Sequence, residues 1–228
     1  IIELYVQRDS YCSIDENTIN VLNPKELVFE GGRELELDAV SEVPRYYVCN
    51  AYGVCGIYSA PGTAVKEAYD TSGIVTNDRG FTVWLKGNRV SRNQIMAIKE
   101  ENLTEQKNSL AVCLDNILRH AGITRNTEYD LAQGKTATTI LSENMTGVQV
   151  LDLSGCTLDA VLYYVNQDIP VLAILEDGEA VLVTGFNEFN VVIMEPATGK
   201  LYKKGMNDAT AWFAENGNHF ITYMRIEN

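Results

Sequence analysis

Cysteine and histidine are the side chains of this sequence that could supply nucleophilic chemistry. The chain has five cysteines and two histidines. A thiolate becomes a nucleophile when a neighbouring imidazole removes its proton. Cys113 and His120 stand seven residues apart in one helical pattern, so they project from roughly the same side of that helix. They are nevertheless about 10 Å apart along the helix axis, which is too far for direct proton transfer.

Two of the cysteines, Cys113 and Cys156, are the candidates for a nucleophile. A reactive thiol needs the N-terminal end of a helix, where free N–H groups and the helix dipole favour the thiolate. Cys113 lies a full turn inside its helix on the apolar face, which favours a buried hydrophobic role. Cys156 stands directly ahead of a helix, a better electrostatic position, but no histidine is near it in the sequence. Structural roles are therefore favoured for both cysteines and for His120 and His219.

The spacing of the cysteines indicates no metal site, and it permits one disulfide without deciding whether that disulfide forms. The sequence has no Cys-x-x-Cys pair and no paired Cys/His spacing typical of zinc, and no cofactor is predicted. Cys49 and Cys55 flank a turn predicted at residues 50–53 and could face each other across a hairpin. Because the sequence does not fix the strand register, this spacing permits a disulfide without requiring one.

Three stretches of different pattern would position these residues. Residues 1–45 carry short alternating apolar runs separated by turn signals, which predict a small β unit. Residues 46–98 predict a small βαββ module. Residues 99–228 begin with helices and finish with strands, which indicates an α+β domain.

Turn and capping residues define the elements expected within residues 46–98. Pro61 begins a helical stretch and Gly73 ends it as a C-cap glycine. The run Asn-Asp-Arg-Gly at residues 77–80 predicts a hairpin between two β-rich runs. Ser91 and Gln94 form a capping box, which predicts a helix extending to about residue 101.

Helical periodicity is clear in residues 99–228. Thr157 is the expected N-cap of a second helix, and short β-rich runs separated by turns follow from residue 171. The first helix has one continuous apolar face, at positions i, i+3, i+4, i+7, i+8 and i+11. That face contains Leu110, Cys113, Leu114, Ile117, Leu118 and Ala121.

Charge and hydropathy exclude two classes of partner. The chain of 228 residues has 31 acidic and 18 basic residues, a formal net charge of -13. A protein this acidic is a poor candidate for binding nucleic-acid phosphates. No apolar run approaches the roughly 20 residues that cross a bilayer as a helix, so no membrane span is expected.

The segment 99–228 resembles the papain-like cysteine peptidases that remove double-glycine leader peptides from bacteriocins. That family opens a helix with Asp-Cys-Gly-Pro-Ala-Cys, where this sequence has Asn-Ser-Leu-Ala-Val-Cys at residues 108–113. The family then shows a Pro-Val strand, Gly-His-x-Val-x-Val-x-Gly-Tyr, a hairpin and Asp-Pro. The counterparts here are Pro170–Val171, Gly-Glu-Ala-Val-Leu-Val-Thr-Gly-Phe at residues 178–186, and Glu195–Pro196. The resemblance implies a papain-like fold over about half of the chain.

The family's catalytic positions carry other residues in this chain. Its nucleophile position falls on Ser109, its histidine on Glu179 and its acid on Glu195. The position of its oxyanion glutamine falls near Leu103, because Gln106 is too close to Ser109. A carboxylate of pKa about 4.3 is too weak a base to activate a serine hydroxyl, and two facing carboxylates repel or share a proton. The resemblance therefore implies a peptidase domain with a disabled triad.

A weaker resemblance concerns residues 46–98. The strand, the alanine-bearing helix, the hairpin and the run Gly-Asn-Arg-Val-Ser-Arg-Asn-Gln at residues 87–94 are similar to SPOR-type peptidoglycan-binding modules. The resemblance implies a glycan-binding surface with aromatic stacking and a positive side. Its candidate residues are Tyr52, Trp84, Lys86, Arg89 and Arg92.

Three functional hypotheses follow. The first is a non-catalytic papain-like domain of a bacterial surface or secreted protein, whose groove binds peptide or cell-wall material. The second is an active cysteine peptidase that uses Cys113 or Cys156. The third is a glycan-binding role of residues 46–98. The expected location, extracellular or associated with the cell envelope, follows from the resemblance alone.

Overall fold

A computed structural model describes residues 44–50, 53–87, 92, 95 and 108–226 of the chain. The small β unit predicted for residues 1–45 therefore lies almost wholly outside the described residues. So do the predicted positions Tyr52, Arg89, Leu103 and Gln106.

Residues 46–85 form a four-stranded antiparallel sheet with one helix. The strand order is β2-β1-β3-β4. A second strand stands ahead of the helix, where the predicted βαββ order has only one. The elements are β1 (Tyr46–Asn50), β2 (Gly53–Tyr58), α1 (Pro61–Thr71), β3 (Ile74–Asn77) and β4 (Thr82–Leu85).

Local chemistry explains both ends of this helix–hairpin unit. Pro61 occupies the first turn of α1, as predicted. Ser72, rather than Gly73, takes the left-handed C-cap conformation, with φ of 54°. A side chain on Gly73 would place its Cβ 2.7 Å from the Cys49 carbonyl oxygen, so the glycine is needed there for close approach. The predicted hairpin is confirmed, because Asn77 Oδ1 accepts hydrogen bonds from the Arg79 and Phe81 N–H groups.

Residues 108–226 contain five helices and a six-stranded sheet whose neighbouring strands are all antiparallel. The strand order is β5-β10-β6-β7-β8-β9. The helices are α2 (Ser109–His120), α3 (Glu128–Ala132), α4 (Ala137–Asn144), α5 (Leu158–Asn166) and α6 (Met206–Glu215). The strands are β5 (Val148–Asp152), β6 (Val171–Ile174), β7 (Ala180–Phe186), β8 (Asn190–Met194), β9 (Leu201–Gly205) and β10 (His219–Arg225). This architecture confirms the predicted α+β class.

The two predicted helices that anchor this sheet are confirmed. Cys113, Leu114, Ile117 and Leu118 of α2 are buried, as their spacing indicates. The Thr157 side chain caps α5 by accepting a hydrogen bond from the Ala160 N–H. Both helices pack on β7, the central strand of the core.

The helix predicted to begin near residue 91 is wrong at the two described residues of that stretch. Arg92 and Phe186 exchange backbone hydrogen bonds, and the Ile95 N–H donates to the Thr184 carbonyl at 2.9 Å. Strand β6 pairs with β7 only as far as Val183, which leaves the backbone of residues 184–186 open on that side. Satisfying those buried backbone groups outweighs the local capping preference.

Residues 46–87 and 108–226 pack as one compact unit, which spans Val43–Asn228. The boundary predicted at residue 98 lies among residues that the structure does not describe. The contact surface between these two parts is called the seam below; it joins α1 and β4 to β5, α5 and the loop between them. At the seam a Cβ on Gly62 would meet the Ser154 carbonyl oxygen at 2.9 Å, so backbone lies directly against backbone.

Side-chain hydrogen bonds also cross the seam. Trp84 Nε1 donates to the Ala160 carbonyl at 3.0 Å, and the Tyr164 hydroxyl donates to the Val83 carbonyl at 3.0 Å. The Tyr69 hydroxyl donates to Asp159 Oδ2 at 2.9 Å. Burial raises the pKa of Tyr164 well above its ordinary value, so this hydroxyl remains a donor.

Within the described ranges, no helix combines the length and apolarity that a membrane crossing requires.

Candidate functional site

The beginning of α2 meets the beginning of β7 through one side chain. The Asn108 side chain caps α2 by accepting from the N–H groups of Leu110 and Ala111. Ser109 is the first helical residue, and its Oγ accepts a hydrogen bond from the Ala180 N–H at 2.9 Å. Ala180 directly follows Glu179, so the structure brings together two of the positions that the resemblance pairs. We call Ser109 with Glu179 and Ala180 the Ser109 corner.

Glu179 is exposed in the turn between β6 and β7. Its backbone N–H donates to Asp177 Oδ1 at 3.0 Å, which holds the turn that presents its carboxylate. Burial and then the charge of Glu179 raise the pKa of Cys113. Because Ala180 bonds to Ser109, Glu179 stands beside the start of α2, where its charge disfavours a second negative charge.

Glu195 is bound within its own turn. Its Oε2 accepts from Thr198 Oγ1 at 2.8 Å, and the side chain is exposed between β8 and β9. Within the described ranges, no hydrogen bond links Glu195 to Ser109 or Glu179. Glu195 directly follows Met194, which pairs with Leu182, so its backbone lies near the start of β7 although its side chain is bound to Thr198.

Neither a cysteine nor a histidine is among the three residues of the Ser109 corner. The Ser109 oxygen already accepts the Ala180 N–H, which ties it to the backbone of β7. Ser109 and Glu179 can offer a ligand hydrogen bonds and charge attraction.

Both candidate thiols are fully buried and held in the neutral form. Cys113 lies on the core face of α2, and burial raises its pKa before Glu179 adds its effect. Burial, followed by the charge of Asp152, raises the pKa of Cys156 to about 12. The Cys156 thiol donates to the Gly62 carbonyl at 3.3 Å. Because the thiolate is the reactive species, neither environment suits a nucleophile.

Neither histidine occupies the Ser109 corner. His120 ends α2, at the opposite end of the helix from Ser109, and its Nε2 lies 3.3 Å from the Asp168 carbonyl oxygen. His219 begins β10 and is exposed, and it pairs with Ile174 of β6, which on its other side pairs with Ala180.

The structure separates the residues predicted to bind glycan. Trp84 is only 1% exposed, so the prediction that its ring offers an open stacking face is wrong. Its burial results from packing on α5, which belongs to a different part of the sequence. Arg92 pairs with Asp168 at 3.4 Å and donates to the Asn166 carbonyl at 3.3 Å. Lys86 is exposed and its Nζ lies 5.1 Å from the centroid of the Tyr69 ring.

The Cys49–Cys55 disulfide stays a prediction. Cys49 pairs with Val54 in the backbone register of β1 and β2, and Cys55 is the extra residue of a β-bulge. The Cys55 side chain lies outside the described residues.

No group of three or more His, Cys, Asp or Glu side chains in the described part of the chain has the arrangement of a metal site.

A small cleft on the seam contains residues that sequence reasoning missed. Its volume is about 110 Å³, and Lys86 and Trp84 line one side. Tyr163, Asn166 and Gln167 of the α5 segment line the other side. Their spacing on the rim of α5 is a signal in the sequence, but it shows only a helix face and not what that face contacts.

Comparison with solved structures identifies the fold. A protein described as a putative C39-like peptidase from Bacillus anthracis is similar over 61% of this chain and 100% of its own, with a TM-score of 0.51 and 12% identity. A double glycine motif protease from an AMS/PCAT transporter, solved with the leader peptide, is similar over 61% of this chain and 97% of its own, with a TM-score of 0.40 and 16% identity. The first likeness confirms the predicted papain-like fold of the C39 peptidase type.

No protein-family model and no curated protein matches the chain. The resemblance of residues 46–98 to SPOR-type modules therefore has no support from these comparisons.

Proposed function

We propose that this protein is a non-catalytic relative of the C39-like peptidases that binds peptide at the Ser109 corner without cleaving it. The observation that carries the proposal is the hydrogen bond from the Ala180 N–H to Ser109 Oγ. It joins the helix start and the strand start that flank a papain-like active site, while the residues there are a serine and a glutamate. The helix start and the strand start meet here, and neither a cysteine nor a histidine is among the three residues of this corner.

Exposed carboxylates define the peptide chemistry that this corner favours. Glu176, Asp177 and Glu179 stand together in the β6–β7 turn, and all three are exposed. Opposite charges attract across this short range, whereas an acidic peptide would be repelled. The preferred ligand is therefore an extended peptide that carries lysine or arginine.

The alternative of an active cysteine peptidase finds no favourable thiol. Cys113 and Cys156 are both buried, and their pKa values are raised. The location at the cell envelope, and cell-wall material as a second ligand, remain parts of this proposal that come from the sequence resemblance.

Fluorescence anisotropy and mass spectrometry on the same samples test the proposal. The protein is titrated into labelled lysine-containing peptides and matched glutamate-containing peptides, and each mixture is then searched for cleavage products. We expect binding of the basic peptides, weaker binding at high salt and no cleavage. Glu179→Gln should weaken binding, and Glu188→Gln, the same charge change beyond the other end of β7, should not.

Two results would overturn the proposal. One is cleavage that disappears in Cys113→Ser or Cys156→Ser, which would establish the peptidase. The other is peptide binding that Glu179→Gln leaves unchanged, which would place the ligand elsewhere on the molecule.

A further inference from the structure

The cleft on the seam joins two parts of the chain that are distant in sequence. The β4 side supplies Trp84 and Lys86, and the α5 side supplies Ala160, Tyr163 and Gln167. The three α5 positions recur at i, i+3 and i+7, so they form one face of the helix and its C-cap. The hydrogen bond from Trp84 Nε1 to the Ala160 carbonyl fixes the two sides against each other. The cleft is therefore a built feature of the seam.

Aromatic rings form the floor and one wall of this cleft. Trp84 is buried and forms the floor, and its ring centroid lies 6.2 Å from that of Tyr163 at an interplanar angle of 54°. Tyr163 is half-buried and packs edge-on against Tyr164 at 5.1 Å, which limits its motion. A rigid, partly open aromatic ring is a suitable surface for the C–H face of a flat, saturated ring.

The polar groups on the rim of the cleft differ in whether they donate or accept hydrogen bonds. Lys86 is the single charged residue among the described residues of the lining, and its ammonium only donates hydrogen bonds. The amide of Gln167 is exposed and can both donate and accept. Asn166 is also on the rim, and its carbonyl is held by Arg92 at 3.3 Å.

This combination favours one chemical class over the alternatives. A wholly apolar ligand would make no use of the Lys86 ammonium and the Gln167 amide on the rim. A phosphate would meet one lysine beside the C-terminal end of α5, where the helix dipole is negative. A sugar ring presents a C–H face for the aromatic wall and hydroxyl groups that both donate and accept.

We propose that the cleft binds a single sugar ring, either the terminal sugar of a glycan or the sugar beside the terminal one. Its volume of about 110 Å³ is well below the roughly 300 Å³ at which pockets begin to hold drug-sized ligands. The ring lies on Tyr163 above Trp84, and its hydroxyl groups bond to Lys86 and Gln167. This site is separate from the Ser109 corner and does not depend on peptide binding there.

Isothermal titration calorimetry with glucose, N-acetylglucosamine and glucuronate tests the proposal on the full chain. We expect saturable binding of at least one sugar with a Kd of roughly millimolar, the range for one ring with few hydrogen bonds. Gln167→Ala and Lys86→Ala should each weaken it roughly twofold to tenfold, the loss of one hydrogen bond. Comparing the Kd of glucuronate with the Kd of glucose shows whether the cleft prefers an acidic or a neutral sugar.

Matched controls separate binding from folding. Gln133 is the exposed C-cap residue of α3, as Gln167 is of α5, so Gln133→Ala should leave the Kd unchanged. Lys203→Ala is the corresponding control for Lys86, and thermal unfolding should be the same for all four variants. Glu179→Gln should not alter sugar binding, which distinguishes failure here from failure of the peptide proposal.

Three outcomes would overturn the inference. No saturable heat with any of the three sugars would remove the ligand class. Sugar binding that survives both Gln167→Ala and Lys86→Ala would place the site elsewhere. A basic peptide whose binding is weakened by these two variants, with no sugar bound, would show that the cleft recognises peptide instead.

Discussion

At the Ser109 corner one hydrogen bond joins a helix to a strand, whereas at the seam several side chains and close backbone contact join two parts of the chain. The corner brings together two of the positions that the sequence resemblance aligns with a papain-like catalytic site. The seam has no counterpart in the sequence resemblance, yet its side chains are buried and specifically bonded. Ser109 and Glu179 lie at the surface of a core that other residues hold, so their identity can change without loss of the fold. At the seam, in contrast, Gly62, Trp84 and Tyr164 make contacts that depend on their residue types.

Trp84→Ala should produce the largest effect, because it removes the largest buried side chain of the seam and its bond to Ala160. We expect the free energy of unfolding to fall by about 3–5 kcal/mol, as for other buried aromatic residues. Denaturant titration measures the change. Tyr129→Ala removes an aromatic ring that is 70% exposed and should cost no more than about 0.5 kcal/mol. If Trp84→Ala lowered the free energy of unfolding no more than Tyr129→Ala does, the special role of the seam in stability would be wrong.

Gly62→Ala should produce the next largest effect. The added Cβ would lie 2.9 Å from the Ser154 carbonyl oxygen, and that contact involves backbone, which cannot move aside cheaply. We expect a loss of about 1–3 kcal/mol by overpacking, measured by the same titration. Thr63→Ala, at the next and exposed position of α1, is the control. Equal stability of the two variants would show that the seam is looser than the structure indicates.

The double variant Ser109→Cys with Glu179→His tests whether the corner has kept its geometry. The Ala180–Ser109 hydrogen bond puts the two substituted positions side by side, so the new imidazole should stabilise a thiolate at the helix start. We expect iodoacetamide to label residue 109 roughly tenfold faster at about pH 6 than in Ser109→Cys alone. Equal rates in the single and double variants would mean that the corner has lost the geometry of the active site as well as its residues.

Raising the pH should produce the smallest of the expected effects, a modest loss of folding stability. The pKa of Cys156 is about 12 in the folded chain, against about 8.5 for an unfolded thiol. The stability that the neutral thiol contributes is therefore complete below pH 8.5 and is lost as pH rises toward 12. Between pH 8 and pH 9 we expect about 0.7 kcal/mol less stability from this group. Cys156→Ser keeps a donor for the Gly62 carbonyl and should reduce this slope; an unchanged slope would contradict the assignment.

The parts of the fold that could be predicted from the sequence are those set by local patterns. The apolar spacing of α2, the N-cap at Thr157 and the turn at residues 77–80 each depend on neighbours in the chain, and all three are confirmed. The predictions of an exposed Trp84 ring and of a helix at Arg92 are wrong because the surroundings of both residues come from distant segments. Trp84 is covered by α5, and the backbone of Arg92 fills the open side of β7.

The Ser109 corner shows a similar limit. Ser109 and Ala180 are separated by 71 residues, so no spacing rule could bring them together. Only the resemblance to a known fold aligned the two positions. The resemblance also placed Glu195, which the structure positions directly after Met194, the residue paired with Leu182, with its carboxylate bound to Thr198.

The backbone pairing of Arg92 and Ile95 with β7 means that the two parts of the chain are held together by more than the covalent link between residues 95 and 108. These two residues lie on the sheet of the C-terminal part, while the chain before them contributes the first sheet and its side of the seam. A protease cut between residues 95 and 108 would therefore leave two polypeptides that still bind each other through the seam and the pairing with β7. What the intact chain supplies is the high effective concentration of one piece for the other.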